Sequence, residues 1–220
     1  MKAALLGQWF LYSPVGNQVA DRGTEPFTSR PSIRIHSETD DAELMLKIQQ
    51  SDEGAFRELL DRYLTPLNRF AVRMLGNGHD AEDVVQETFL RVWKNARQWQ
   101  PGHGKLTTWL HSITHHLCID YHRRDRSTLH SGATELLASN DKPDDHLTAA
   151  DMSTAVTAAV TQLPERQKSA IILCHYQGFS NRAAAEVIGV SVDALESLMA
   201  RGRRTLRKKL IGLSAQSDED

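Results

Sequence analysis

The sequence predicts an all-α protein made of two small helical domains joined by a flexible linker, the C-terminal domain containing a helix-turn-helix. Three observations lead to this prediction. Apolar residues recur at helical spacing from Asp40 onward, no stretch alternates as a β-strand does, and a polar stretch divides the helical chain into two parts.

The composition is that of an ordinary globular protein, with 40% apolar and 25% charged residues. The net charge is −2, so the molecule as a whole is not a polycation. Any nucleic-acid contact must therefore come from local basic patches. Cys118 and Cys174 lie far apart in apolar helical contexts, which favours reduced core thiols and a cytoplasmic location over a disulfide. No apolar run approaches the ~18 residues of a membrane helix, so direct membrane insertion is not expected.

Composition also sets the expected domain boundaries. They are a disordered N-terminal extension over residues 1–38, an N-terminal domain over 39–127, a linker over 128–148, a C-terminal domain over 149–212 and an acidic tail over 213–220.

Four helices are expected in the N-terminal domain. They are Ala42–Gln50, Glu53–Leu75, Asp80–Trp99 and Thr107–Arg124. Pro66 lies within the second helix, where we expect it to bend the helix or to lie where its missing N–H costs little. Residues 100–104 contain a proline and two glycines and predict a loop before the fourth helix.

The C-terminal domain ends in two helices with a tight break between them. Ser180 is placed as the N-cap of a short helix over Asn181–Ile188, and Gly189 suits its C-terminus. Ser191 begins the next helix, whose apolar stripe is Leu195, Met199, Gly202 and Leu206. Its second half is basic, with Arg201, Arg203, Arg204, Arg207, Lys208 and Lys209. This form is typical of a DNA-binding helix-turn-helix, the alternative being a helical hairpin with a solvated basic end.

Two parts of the chain resemble bacterial sigma factors of the extracytoplasmic-function group. One is DAEDVVQETFLRVWKN followed by a loop and TTWLHSITHHLCIDYHRR; the other is LPERQKSAIIL followed by GFSNRAAAEVIGVSVDALESLMARGRRTLRKKL. The resemblance implies a non-enzymatic initiation factor that binds the β′ and β subunits of core RNA polymerase, recognises promoter DNA and assists strand opening. It also implies control by an anti-sigma factor lying between the two domains.

The resemblance further implies three sets of site residues. Contacts to core polymerase are expected from Asp83, Gln86, Glu87, Leu90 and Arg91. Contacts to the melted minus-ten element are expected from Trp99, His103, Lys105, Trp109, His116, Arg123 and Arg124. Contacts to the minus-thirty-five element are expected from Ser191, Asp193, Glu196, Ser197, Arg201, Arg203 and Arg204.

Aromatic and basic side chains suit the minus-ten role because bases stack on aromatic rings and cations follow the backbone. Trp109 also fits core packing.

Some residues depart from the pattern that the resemblance describes. His116 stands where many sigma factors have asparagine, and Glu196 and Leu198 stand where many have lysine and arginine. Glu196 either accepts a hydrogen bond from cytosine N4 or repels phosphate and lowers affinity, whereas Leu198 is placed to pack.

Other classes of protein have less support. His111, His115, His116, Cys118 and His122 are close in sequence, but no His-Glu-x-x-His pattern is present, and we expect neither a metal nor another cofactor. The sequence contains no glycine-rich phosphate loop and no nucleophile elbow, so these motifs give no support to an enzyme. The main alternative is a self-sufficient helix-turn-helix regulator with an N-terminal sensing or dimerisation domain. Transcription assays with core polymerase would distinguish this regulator from a sigma factor.

Overall fold

Helices form both parts of the protein in the computed structural model, which describes residues 38–102, 104–131 and 156–216, with side chains over 40–102, 104–124 and 156–210. The N-terminal bundle contains α1 Glu38–Gln49, α2 Glu53–Leu75, α3 Gly78–Asn95, a 3-10 turn Ala96–Gln98 and α4 Leu106–Ser131. The C-terminal bundle contains helical residues 156–161, α5 Glu165–Ile171, a π-helical turn Ile172–Tyr176, α6 Asn181–Ile188 and α7 Val192–Gln216. Within the described ranges there is no strand, and no helix is both long and apolar enough to cross a bilayer.

Local capping determines where the helices of the N-terminal bundle begin and end. The Asp52 carboxylate accepts a hydrogen bond from the Ala55 N–H at 3.0 Å and begins α2. Gly76 ends it at φ 78°, a conformation that favours glycine. Asn77 then accepts from the His79 N–H at 2.9 Å, so α3 begins at Gly78.

Large apolar side chains from all four helices fill the N-terminal bundle. Phe70, Phe89, Leu59, Leu67 and Leu110 are among its fully buried side chains. Each such side chain contributes about 1.5–3 kcal/mol by leaving water. Pro66 lies inside α2, and its carbonyl accepts a hydrogen bond from the Gln177 amide of the C-terminal bundle at 3.3 Å.

The helix-turn-helix forms as the sequence predicts. Ser180 caps α6 by accepting from the Ala183 N–H at 3.3 Å, and Gly189 ends α6 at φ 72°. The Ser191 hydroxyl accepts from the Ala194 N–H at 3.2 Å and begins α7. Leu195, Met199 and Gly202 are buried, whereas Leu206 is half-buried and packs against the core. Leu198 also packs there, as expected.

The two bundles are in direct contact, which the sequence analysis did not predict. Lys168 Nζ donates to the Met74 carbonyl oxygen at 3.1 Å, and His115 Nε2 lies 3.0 Å from Ser169 Oγ. The His111 ring packs edge-to-face against Phe70 at 5.4 Å and Phe179 at 4.8 Å between centroids.

Some helix ends differ from the sequence-based expectation. Helix α1 begins at Glu38 rather than Ala42, and α3 begins at Gly78 rather than Asp80 because Asn77 caps it. Helix α4 continues to Ser131, past residue 128 where the linker was expected to start. The expected N-terminal extension, most of the linker and the end of the acidic tail lie outside the described residues.

Gly202 allows α7 to pack closely against α5. A Cβ added there would lie 3.0 Å from Ile171 Cγ1 and 3.6 Å from Gln167 Cβ. We expect Gly202→Leu to lower the free energy of unfolding by about 1–3 kcal/mol, because overpacking pushes the helices apart. Denaturant unfolding measures the effect. Ala200→Leu on the exposed side of α7 is the control, and an equal loss in both variants would contradict the explanation.

Candidate polymerase and nucleic-acid interfaces

Helix α3 has one face in the core and one face towards solvent. Val84, Val85, Thr88, Phe89 and Val92 are buried. The opposite face carries the residues expected to contact polymerase. Asp83 is exposed, and Gln86, Glu87, Leu90 and Arg91 are partly exposed.

A pair of charges runs along that outer face. Arg91 Nε lies 2.9 Å from Glu87 Oε1, one helical turn away. Exposed pairs of this kind contribute little to stability. Leu90 lies beside this pair, and its apolar side chain is partly exposed among polar residues. This mixture suits a docking surface, and the contact with polymerase remains a prediction.

A small cavity lies where the minus-ten residues were expected. Its volume is about 140 Å³, and its walls include Trp99, Gln100, Lys105, Thr108, Trp109 and Glu186. Lys105 is exposed and Trp109 is half-buried, so Trp109 both packs against the core and faces the cavity. The cavity has polar and aromatic walls, which suit a planar base with hydrogen-bonding edges.

Trp99 has a more structural position than expected. Its side chain is only 6% exposed, and its carbonyl accepts a hydrogen bond from Gln49 Nε2 at 3.2 Å. Gln49 also donates to the Ala96 carbonyl at 3.3 Å. These bonds attach the 3-10 turn to α1, so Trp99 serves as a wall of the cavity rather than an open stacking platform.

The remaining minus-ten candidates lie along the exposed side of α4, except for His103, which is outside the described residues. His116, Arg123 and Arg124 are exposed. His116 Nδ1 lies 2.7 Å from the Ser112 carbonyl, and since a carbonyl only accepts, Nδ1 carries the proton. Arg123 lies 3.4 Å from Asp120 in an open ion pair.

The minus-thirty-five candidates all lie on one surface. Ser191, Asp193, Glu196, Ser197, Arg201, Arg203 and Arg204 are exposed on α7 or at its start, opposite the buried Leu195 and Met199. A helix that is buried on one side and basic on the other can enter a major groove.

The histidines of α4 have separate partners. His111 Nδ1 donates to the Thr107 carbonyl at 2.8 Å, and His122 Nε2 lies 3.1 Å from the Met74 carbonyl. Ser169 donates its single hydroxyl proton to the Glu165 carbonyl at 2.8 Å, so His115 Nε2 must be the donor towards Ser169. Among the described residues no group of three or more histidine, cysteine or acidic side chains is arranged to hold a metal.

Both cysteines are free thiols, as the sequence predicted. Cys118 is fully buried, and burial raises the pKa of its thiol to about 12. Cys174 is half-buried, and burial raises its pKa as well.

Sequence reasoning missed the residues that join the two bundles. Lys168 is only 5% exposed, and Glu186 of α6 forms part of the wall of the cavity beside Trp109. One signal was available for Lys168. It lies three and four residues before Ile171 and Ile172, in phase with the apolar face of its helix.

Comparison with known proteins agrees with this architecture. The chain matches the family models Sigma-70 region 2 over residues 59–128 and Sigma-70, region 4 over residues 153–206. It is 27% identical over 184 residues to the ECF RNA polymerase sigma factor SigW of Bacillus subtilis, covering 76% of this chain and 98% of SigW. It is 32% identical over 172 residues to SigE of Mycolicibacterium smegmatis, covering 76% of this chain and 66% of SigE.

Two solved structures have a similar fold. The sigma factor RpoE in complex with the anti-sigma factor NepR from Bartonella quintana gives a TM-score of 0.55 at 25% identity, covering 70% of this chain and 96% of RpoE. CnrH in complex with the cytosolic domain of CnrY gives 0.60 at 24% identity, covering 78% of this chain and 97% of CnrH. The chain belongs to the extracytoplasmic-function group of RNA polymerase sigma factors.

The buried histidines predict how stability depends on pH. Burial lowers the pKa of His111 and His115 to about 4 each, and neighbouring His116 lowers that of His115 further in the same direction. The unfolded chain therefore binds protons below about pH 6.5 that the folded chain excludes. The contribution of the two neutral rings to the free energy of unfolding is complete above pH 6.5 and is lost as the pH falls towards 4. In this range the free energy of unfolding changes by up to about 1.4 kcal/mol per pH unit for each ring.

We expect the free energy of unfolding to fall between pH 7 and pH 5 in the unmodified chain, and to fall less steeply in His115→Gln. Denaturant titrations at both pH values measure this. His79→Gln, at an exposed position of α3, is the control and should retain the full decrease. An unchanged slope in His115→Gln would contradict the assignment.

Proposed function

We propose that this protein is an alternative sigma factor whose two bundles contact different promoter elements while α3 contacts core polymerase. The α7 surface would enter the major groove at the minus-thirty-five element. The cavity beside Trp109 and Lys105 would take a base of the melted minus-ten strand. The polymerase carries out bond formation, so no catalytic role is assigned to this chain, and it acts in the cytoplasm with the polymerase.

The observation that carries the proposal is that one chain has two separate surfaces suited to DNA. The first is the basic outer face of α7, which suits duplex. The second is the aromatic and polar cavity on the N-terminal bundle, which suits an unpaired base. A self-sufficient duplex-binding regulator has no use for the second surface. Membership of the sigma-factor family explains both.

The arrangement of the bundles supports a closed, resting form. A Cβ added at Gly104 would lie 3.3 Å from Glu186 Oε1, so α6 of the C-terminal bundle covers the minus-ten cavity. The names of the two elements place them roughly 25 base pairs apart, which is roughly 85 Å of duplex. One bundle cannot cover the minus-ten cavity while binding at that distance. Promoter recognition therefore requires the bundles to separate.

The chain is long enough for that separation. Residues 132–155 connect the described parts of the two bundles, and at 3.3–3.6 Å per residue they reach at most roughly 80 Å when fully extended. The end of α4 and the width of the bundles add to this reach. Binding to polymerase would hold the bundles at the promoter spacing, and each weak DNA contact would then strengthen the other through effective concentration.

Control by an anti-sigma factor forms part of the proposal. The sigma factor RpoE in complex with the anti-sigma factor NepR is a complex of a similar chain with such a partner. The direct contacts of Lys168 and His115 occupy the face between the bundles. A regulator that enters between the bundles has to break these contacts first. One that binds over the closed pair preserves them.

Run-off transcription tests the proposal. Core polymerase with this chain is expected to start at specific promoters in a genomic template library, and core polymerase alone is not. Absence of specific starts, together with tight binding of the chain alone to a palindromic duplex, would favour the self-sufficient regulator.

The closed arrangement predicts a second effect. Glu186→Gln removes a negative charge from the cavity wall while keeping the size of the side chain. We expect the free protein to bind a random pool of short single-stranded oligonucleotides severalfold more tightly, because one repulsion of phosphate is lost. Fluorescence polarisation at low salt measures this. Glu82→Gln, which changes an exposed carboxylate of α3, is the control, and equal effects would contradict a local role for Glu186.

A further inference from the structure

The two helices of the helix-turn-helix are joined by a polar contact at the DNA-facing surface. Asn181 is the first residue of α6, and its Nδ2 donates to Glu196 Oε1 on α7 at 3.1 Å. Both side chains are exposed. Glu196 is also a departure from the basic residue that many sigma factors carry at this place, so the contact involves the residue that most changes the chemistry of the α7 surface.

A second, weaker contact lies on the other side of the Asn181 amide. Cys174 Sγ lies 3.9 Å from Asn181 Oδ1, so the thiol is the donor and the amide oxygen is the acceptor. The reversed amide would direct its oxygen at the Glu196 carboxylate, and two acceptors facing each other repel. The thiol is compatible with the orientation that the carboxylate favours, because it donates weakly to the amide oxygen.

This orientation leaves Glu196 with a defined hydrogen-bonding role. A carboxylate only accepts, and Asn181 uses Oε1, so Oε2 remains to accept from a base. In the major groove the donors are the amino groups of cytosine and adenine. Adenine presents its N7 acceptor beside its amino group, and N7 would repel a carboxylate. Cytosine has no acceptor there, so the carboxylate favours cytosine.

We propose that Asn181 is a positioning residue that holds the Glu196 carboxylate for recognition of a cytosine amino group in the upstream promoter element. The inference rests on the proposed function, because it assumes that α7 reads promoter DNA. By fixing one oxygen, Asn181 reduces the side-chain freedom that Glu196 loses on binding. The hydrogen bond from Asn181 also partly compensates the negative charge of the carboxylate near the phosphates. The carboxylate thereby becomes a selective contact.

The experiment uses the full chain with core polymerase on a promoter library randomised across the upstream element. Transcripts are sequenced to obtain the base preference at each position. The unmodified chain is expected to favour cytosine at one position by about tenfold, which corresponds to one hydrogen bond to a charged group. Asn181→Ala should reduce that preference to about two- to threefold and leave the other positions unchanged.

Two further variants separate positioning from a merely structural role. Glu196→Gln should shift the preferred base at the same position from cytosine to adenine, because a glutamine amide matches adenine N6 and N7. In a Glu196→Ala background, Asn181→Ala should have no further effect on base preference. Thermal unfolding of each variant is measured in parallel.

The possible failures are distinguishable. If the unmodified chain supports no specific transcript, the sigma-factor function itself fails. If it supports specific transcripts but no base preference changes in the Glu196 variants, the inference alone is wrong. A uniform loss across all positions in Asn181→Ala, with a lower unfolding temperature, would show that Asn181 only holds the two helices together. A Glu196-dependent preference for adenine in the unmodified chain would overturn the assignment to cytosine.

Discussion

The contact between Lys168 and the C-terminus of α2 joins the two bundles at a buried helix end. The last carbonyls of a helix have no partner within the helix, and they carry its negative pole. The Met74 carbonyl is one of these, and it accepts from Lys168 Nζ and lies within hydrogen-bonding distance of His122 Nε2, both at 3.1 Å. A carbonyl has two lone pairs and can accept both. The buried Lys168 side chain of the C-terminal bundle thereby satisfies a helix end of the N-terminal bundle.

Several consequences follow from this contact. Holding α5 against α2 brings Ser169 to His115 and Phe179 to His111, which removes both imidazole rings from water and keeps them neutral. It also brings Gln177 to the Pro66 carbonyl. Helix α6 also packs directly on α4, which places Glu186 in the wall of the cavity beside Trp109. Packing between the bundles is thus connected to the exposure of the cavity beside Trp109 and Lys105.

The sequence could predict features that depend on neighbouring residues. The caps Ser180 and Ser191, the turn at Gly189 and the stripe that begins at Leu195 each follow from short-range geometry, and they were correct. The burial of Trp99 could not be predicted, because nothing nearby in sequence indicates that Gln49 holds its backbone. The sequence analysis made no prediction for Lys168, because lysine is rarely buried without a partner. Its partner is 94 residues away, and only the folded arrangement brings it there.

The closed arrangement is held by apolar packing as well as by polar contacts. Buried apolar side chains of both bundles belong to one continuous core, and the hydrogen bonds between the bundles contribute about 0.5–1.5 kcal/mol net each. The bundles are also parts of one chain, so closure is intramolecular and benefits from an effective concentration of about millimolar order. A partner shifts such an equilibrium only by its difference in affinity for the two forms. Core polymerase, by binding only separated bundles, would supply that difference, and an anti-sigma factor that prefers the closed pair would raise the threshold. A partner that separates the bundles therefore has to offset the loss of this shared core through its greater affinity for the separated form.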